Sequence, residues 1–175
     1  MKIQLSALKE GMNEITFEHT AETLGIGEEE EFSGIFINAI DVNIDANKIG
    51  NQLFLDVVVK TIGNFVCDRC LDDFETEMKE RFRLAYSLDN DVNVEKEEDG
   101  GIRFLTKDST VIDITDDIRE SLLLVVPMKK LCTEECKGIC PQCGVNRNAE
   151  ECNHTDEKID PRWEALKKLY NSTDN

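Results

Sequence analysis

A cluster of thiol side chains near the carboxyl end constrains the fold of this chain more than any other feature. It contains four cysteines within a dozen residues, followed by one more cysteine and a histidine: Cys132, Cys136, Cys140, Cys143, Cys152 and His154. Tetrahedral zinc takes four thiolate or imidazole ligands, and closely spaced cysteines can direct their sulfurs at one ion. We therefore expect a zinc ion to tie this loop-rich segment together.

The segment offers six ligands where zinc needs four. We predict the first four cysteines as the ligand set, with Cys152 and His154 as an alternative second pair. Ligands that are mostly thiolates, with no His-Glu pairing on a helix, indicate a structural metal rather than a catalytic one. Zinc is favoured over iron, which a four-cysteine site can also bind.

A second cysteine pair, Cys67 and Cys70, lies about sixty residues upstream at the end of a predicted strand. Three interpretations are open: half of a split zinc site completed by Cys140 and Cys143, a redox-active dithiol, or a tight structural turn. A thioredoxin-like dithiol should open a helix after a strand in a βαβ unit. The following residues 71–74, LDDF, lack that pattern, which disfavours the redox interpretation.

The net charge of −17 at pH 7, from 20 basic and 37 acidic side chains, limits the partners of this chain. A field of this sign repels phosphate, so it disfavours general adhesion to nucleic acid or to an anionic membrane. A basic protein fits better as a partner. Basic residues near the cysteines, among them Lys129, Lys130, Lys137 and Arg147, leave a local positive face as an open alternative.

No segment has the apolar length of a signal peptide or a membrane span, and the longest apolar run is 122–126. We therefore expect a cytoplasmic protein. Its seven cysteines should then be reduced, which favours metal binding over disulfides.

Alternation of apolar and polar residues predicts strands over most of residues 1–88. Turn residues at 47–51, NKIGN, predict a long antiparallel hairpin over 33–65. Segments 102–105 and 111–114 are predicted to pair with each other. The expected fold class is α+β: an antiparallel, partly barrel-like sheet with a helix and a cysteine-rich, zinc-binding carboxyl-terminal segment.

An acidic loop, residues 89–101, follows the strands of residues 1–88, and two helices are predicted after the short segments 102–105 and 111–114. The first helix is capped by Thr115 and ends at Pro127, and the second begins at Asp160. The predicted units are a β-rich core domain, residues 1–127, and a metal-binding tail with a carboxyl-terminal helix, residues 128–175.

Three features resemble the bacterial YceD (DUF177) family, described as large ribosomal RNA subunit accumulation proteins. They are CDRCL at 67–71, the helix leading into Pro127, and the block CTEECKGICPQCGVNRN followed by DPRWEAL. The resemblance spans roughly residues 60 to 170. It implies that the tail metal is a stabiliser or a lineage-specific contact surface, because members vary in their tail cysteines. His154 stands where some relatives have cysteine.

The resemblance implies a role in the processing or accumulation of large-subunit ribosomal RNA, and so in ribosome assembly, without catalytic activity. Such a factor would bind a ribosomal protein or an RNA precursor, and an acidic chain suits the basic ribosomal protein. Two alternatives remain: a zinc-ribbon adaptor module, which the charge disfavours, and a thiol redox protein using Cys67 and Cys70. No phosphate-binding loop or nucleophile motif indicates a small-molecule substrate.

Overall fold

The computed structural model describes residues 1–26, 32, 34–88, 102–106 and 109–154. Within these residues the chain forms seven strands and one α-helix. They are β1 (Lys2–Gln4), β2 (Gly11–His19), β3 (Ile40–Ile49), β4 (Gln52–Val66), β5 (Asp73–Ser87), β6 (Ile102–Phe104), β7 (Val111–Asp113) and α1 (Thr115–Val125). Strands β2-β3-β4-β5-β6 form one sheet in that order, and β1 and β7 form a second. The α+β class is confirmed.

The predicted hairpin within 33–65 is formed by β3 and β4, although its first strand begins only at residue 40. The strands pair from Asp41 opposite Lys60 to Ile49 opposite Gln52, which leaves a two-residue turn. Gly50 occupies that turn with φ of +56°, a conformation that glycine adopts without steric cost. The alternating side chains of β3 and β4 place Val42, Ile44, Val57 and Val59 in the core.

Strands β4 and β5 form the longest pairing of the described chain. They are antiparallel over their whole length, from Gln52 opposite Ser87 to Val66 opposite Asp73. The loop that joins them therefore consists of residues 67–72, and it carries the upstream cysteine pair. This hairpin presents both thiols at one end of the main sheet.

One predicted strand pairing is wrong, and the sheet that we expected to be partly barrel-like is open. The segments 102–105 and 111–114 do not pair with each other, because β6 lies parallel to β5 and β7 pairs antiparallel with β1. Among the described strands the main sheet is also open, with β2 and β6 at its edges, so it is not a closed barrel. The acidic loop at 89–101 and the predicted second helix lie outside the described residues.

Helix α1 packs one apolar face against the core. Ile118 and Leu122 are buried, whereas Leu124 on the opposite face is 84% exposed. Thr115 is the first helical residue rather than the N-cap, and its backbone N–H donates to the Asp113 carboxylate. None of the helices in the described part of the chain has the length and apolar character needed to cross a membrane.

Leu122→Ala should lower the free energy of unfolding by about 2–5 kcal/mol, because it leaves a cavity in the core beneath α1. Leu124→Ala, two residues away on the same helix, should change it by less than about 0.5 kcal/mol. Chemical denaturation followed by circular dichroism measures both values. Equal effects of the two substitutions would contradict the orientation of the helix described here.

Candidate metal centres

Four thiols meet at the end of the β4–β5 hairpin. Cys67 and Cys70 come from its loop, and Cys132 and Cys136 come from the segment that follows α1. The Sγ atoms of Cys67 and Cys136 are 3.8 Å apart, and those of Cys70 and Cys132 are 3.6 Å apart. Three of the four residues are buried, and Cys132 is partly buried. We refer to these four residues as the first cluster.

Backbone hydrogen bonds bring the two segments of the first cluster together. The Asp68 N–H donates to the Lys130 carbonyl at 2.8 Å, and the Lys130 N–H donates to the Asp68 carboxylate at 2.7 Å. The Arg69 guanidinium donates to the carbonyls of Glu134 and Cys136 at 3.2 and 2.8 Å. The hairpin loop therefore holds the tail on both sides of Cys132.

The remaining ligand candidates form a second cluster of Cys140, Cys143, Cys152 and His154. The Sγ atom of Cys140 lies 3.8 Å from Nδ1 of His154. Cys140 is buried, whereas Cys143 is exposed, so this cluster lies closer to solvent than the first. An isolated antiparallel bridge between Ile139 and Asn146 closes the loop that carries the first two thiols.

The two clusters are joined through a close backbone contact. The Ile139 N–H donates to the Arg69 carbonyl at 3.0 Å, next to Gly138. Gly138 has φ of +72°, and a Cβ atom there would lie 2.9 Å from the same carbonyl oxygen. Asn148 adds a further link, because its side-chain N–H donates to Cys136 Sγ at 3.2 Å and its carbonyl accepts from the Lys137 N–H at 2.8 Å.

The surroundings lower the pKa of Cys67 and Cys136 in the first cluster and of Cys140 in the second, which favours the ionised forms of these thiols. Burial raises the pKa of Cys67, but hydrogen bonds from the backbone N–H groups of Cys132, Cys70 and Arg69 have the larger combined effect. The net result is a pKa lowered to about 6. The backbone N–H groups of Cys143 and Gln142 lower the pKa of Cys140 to about 6. The guanidinium of Arg147 also donates to Cys140 Sγ at 3.7 Å.

The pKa values of Cys70 and Cys132, beside these thiols, shift upward. A backbone N–H at Asp72 lowers the pKa of Cys70, but burial and the neighbouring thiols raise it well above its ordinary value. Burial and the proximity of Cys136 raise the pKa of Cys132. Full ionisation of either cluster would bring several negative sulfurs within 4.8 Å of one another, which only a cation can stabilise.

The donor sets fit tetrahedral zinc. A zinc ion with sulfur ligands at about 2.3 Å holds those sulfurs about 3.8 Å apart. Two of the six sulfur–sulfur distances in the first cluster, 3.8 and 3.6 Å, match that value, and the others are below 4.8 Å. Four sulfurs in one cluster, and three sulfurs with one imidazole nitrogen in the other, are both ligand sets that zinc takes in structural sites.

The structure divides the predicted ligand set between the two clusters. Cys132 and Cys136 join the upstream pair, and Cys140 and Cys143 join Cys152 and His154. The alternative of a split site paired Cys67 and Cys70 with Cys140 and Cys143. In the structure the upstream pair lies with Cys132 and Cys136 instead. One sequence signal could have indicated this arrangement: seven cysteines and His154 supply the eight donors that two tetrahedral ions need.

Gly138→Ala should open the contact between the clusters, because its Cβ would overlap the Arg69 carbonyl oxygen. Gly144→Ala is the matched control: Gly144 has φ of +74°, yet a Cβ there meets nothing within 4 Å. We expect Gly138→Ala to lower the free energy of local opening by about 1–3 kcal/mol more than the control. Hydrogen exchange of the Ile139 amide measures this, and equal effects would refute the contact.

Comparisons with known proteins place these clusters in a family. A family model described as "Large ribosomal RNA subunit accumulation protein YceD" matches residues 55–170. A chloroplastic protein of Arabidopsis thaliana named as a YCED homolog of this kind is 24% identical over 159 residues, covering 74% of this chain and 48% of its own. The Bacillus subtilis protein YlbN is 29% identical over 143 residues, covering 79% of this chain and 78% of its own.

An uncharacterized protein of Mycobacterium tuberculosis is 28% identical over 127 residues, which cover 73% of this chain. The aligned region spans 59% of the mycobacterial protein. No solved structure matches this chain. The family match begins within β4 and includes every residue of both clusters, over about two thirds of the sequence. This chain therefore belongs to the YceD family.

Proposed function

We propose that this protein is a non-catalytic cytoplasmic factor for the accumulation or processing of large-subunit ribosomal RNA. It would act in ribosome assembly by binding a ribosomal protein or an RNA precursor. The family match over residues 55–170 carries the proposal. The names of the Arabidopsis and maize relatives, large ribosomal RNA subunit accumulation protein homologs, support it. The net charge of −17 favours a basic protein partner over bare RNA.

Within this function, we propose that each cluster holds one zinc ion with a structural role. Each has four protein ligands, which leaves no open position for a substrate or a reactive water. The tail from residue 128 to residue 154 contains no helix and no strand longer than the single bridge. Metal binding would therefore supply the stabilisation that a hydrophobic core supplies elsewhere, on the order of 10 kcal/mol per ion at neutral pH.

The arrangement of thiols supports metal binding over thiol redox chemistry. A redox dithiol uses two cysteines, whereas Cys67 and Cys70 lie within 4.8 Å of two further thiols. The loop between β4 and β5 also joins two antiparallel strands, not a strand to a helix as in a thioredoxin-like motif. The redox alternative therefore has less support than the assembly role, and the net charge of −17 disfavours the adaptor alternative.

The proposal is tested in a strain that lacks the chromosomal copy of this gene. We expect the ratio of large-subunit to small-subunit ribosomal RNA to fall and large-subunit precursors to accumulate, as measured by electrophoresis of total RNA. A plasmid copy should restore the ratio. An unchanged ratio with no precursor accumulation, under conditions in which the protein is normally present, would remove the proposed function.

The protein as purified should contain two zinc ions per chain by elemental analysis. Cys70→Ser should remove the ion of the first cluster only, and Cys143→Ser that of the second only, because each substitution deletes one ligand from one set. The absence of visible absorbance would distinguish zinc from iron. A single ion that is lost with Cys143→Ser and retained with Cys70→Ser would instead support one site at Cys132, Cys136, Cys140 and Cys143.

A further inference from the structure

The two cysteine loops share a backbone hydrogen bond and a left-handed residue directly after the second cysteine, but that residue is leucine in one loop and glycine in the other. In the first, the Leu71 N–H donates to the Cys67 carbonyl at 2.9 Å; in the second, the Gly144 N–H donates to the Cys140 carbonyl at 2.8 Å. Both residues have left-handed φ values, +61° for Leu71 and +74° for Gly144. Leu71 is the one residue other than glycine with a positive φ in the described chain. A leucine is strained in this conformation, whereas a glycine is not.

Burial does not compensate for that strain. The side chain of Leu71 is 62% exposed, and the neighbouring Val66 is 50% exposed. The fold and the cysteine cluster therefore gain little from leucine at this position, and glycine would serve both better. Strained residues with exposed apolar side chains are retained where they make contacts outside the chain.

Leu71 borders a cleft of about 940 Å³ at the end of the β4–β5 hairpin. Phe65 and Phe74 are among its lining residues, with ring centroids 5.8 Å apart; Phe74 is partly exposed, whereas Phe65 is buried. The ammonium of Lys130 lies 5.8 Å from the centroid of the Phe65 ring, so the cleft already places a cation against an aromatic face.

The net negative charge of the cleft lining favours a basic partner over a nucleic acid. Three carboxylates line it, those of Asp68, Asp73 and Glu75, against the single ammonium of Lys130. This surface attracts cationic side chains and repels phosphate. Its aromatic and aliphatic lining adds a place for an apolar anchor, which a basic polypeptide can supply.

We infer that this cleft docks a basic segment of a partner protein, with an apolar side chain against Leu71 and the phenyl rings, and with arginine or lysine at the carboxylates. The inference rests on the proposed function and narrows it, because it assigns this contact to a protein rather than to RNA. The first cluster shapes the cleft, since the cysteine loop and Lys130 both line it.

The probe is an array of synthetic peptides that tile the large-subunit ribosomal proteins of the same organism. Basic peptides with an apolar residue should bind the zinc-loaded protein, and the strongest is then measured by fluorescence anisotropy. Leu71→Gly should weaken its binding by at least about tenfold, while the zinc content stays unchanged and the thermal stability stays equal or rises. Asp73→Asn with Glu75→Gln should also weaken binding and reduce its salt dependence.

Two matched controls accompany these variants. Leu124→Ser removes a leucine from α1 that is even more exposed than Leu71, and Asp41→Asn with Asp45→Asn removes two exposed charges from β3. Neither should change the dissociation constant by more than about twofold. Unchanged binding by Leu71→Gly, or an equal loss with the β3 variant, would overturn the inference, as would an array on which no basic peptide binds.

A single-stranded RNA oligonucleotide is the competing ligand. Displacement of the peptide by equimolar RNA, with the same sensitivity to Leu71→Gly, would show that the cleft takes nucleic acid and would overturn the assignment to protein. The ribosomal RNA ratio in the deletion strain is a separate readout. Peptide binding with a normal ratio would remove the proposed function and leave the docking site, whereas a reduced ratio without peptide binding would remove the docking site alone.

Discussion

Thiols from two distant parts of the chain converge at one end of a long hairpin, and the arrangement of the tail depends on that convergence. Cys132 and Cys136 reach the loop of Cys67 and Cys70 across about sixty residues of sequence. The described tail has almost no regular secondary structure, so its position follows from these side chains and from the reciprocal bonds between Asp68 and Lys130. Four ionised sulfurs at this spacing repel one another. A divalent cation among them would attract all four, so that the net electrostatic energy of the cluster becomes favourable.

The second cluster is positioned by contacts with the loop of the first cluster. It rests on the first through the Ile139–Arg69 hydrogen bond and through the close packing of Gly138, which excludes any larger residue. The contact at Gly138 therefore sets the position of the second cluster relative to the first, whereas each ion would be held by its own four ligands. The sheet acts as the scaffold, and the two clusters build a small appendage at its end.

Local sequence patterns predicted the local structure and missed the long-range pairings. The turn at Gly50 and the alternation on both sides of it identified the β3–β4 hairpin, because strand period and turn chemistry are properties of adjacent residues. The partners of β6 and β7 are set by contacts with β5 and β1, which no local pattern encodes. The division of the cysteines between two clusters does not follow from local patterns for the same reason. Cysteine spacing predicts that Cys140 and Cys143 share an ion, but it is silent on which distant pair completes the set.

The difference between Leu71 and Gly144 connects the first cluster to the cleft beside it. If its loop served only to hold a metal, glycine would occupy both places, since the backbone hydrogen bond is the same in both. Leucine instead projects from a conformation that costs stability, beside a cleft whose carboxylates repel nucleic acid. A metal bound by the first cluster would fix the conformation of the loop that carries Leu71. It would thereby hold the Leu71 side chain in position for the partner protein, without contacting that partner itself.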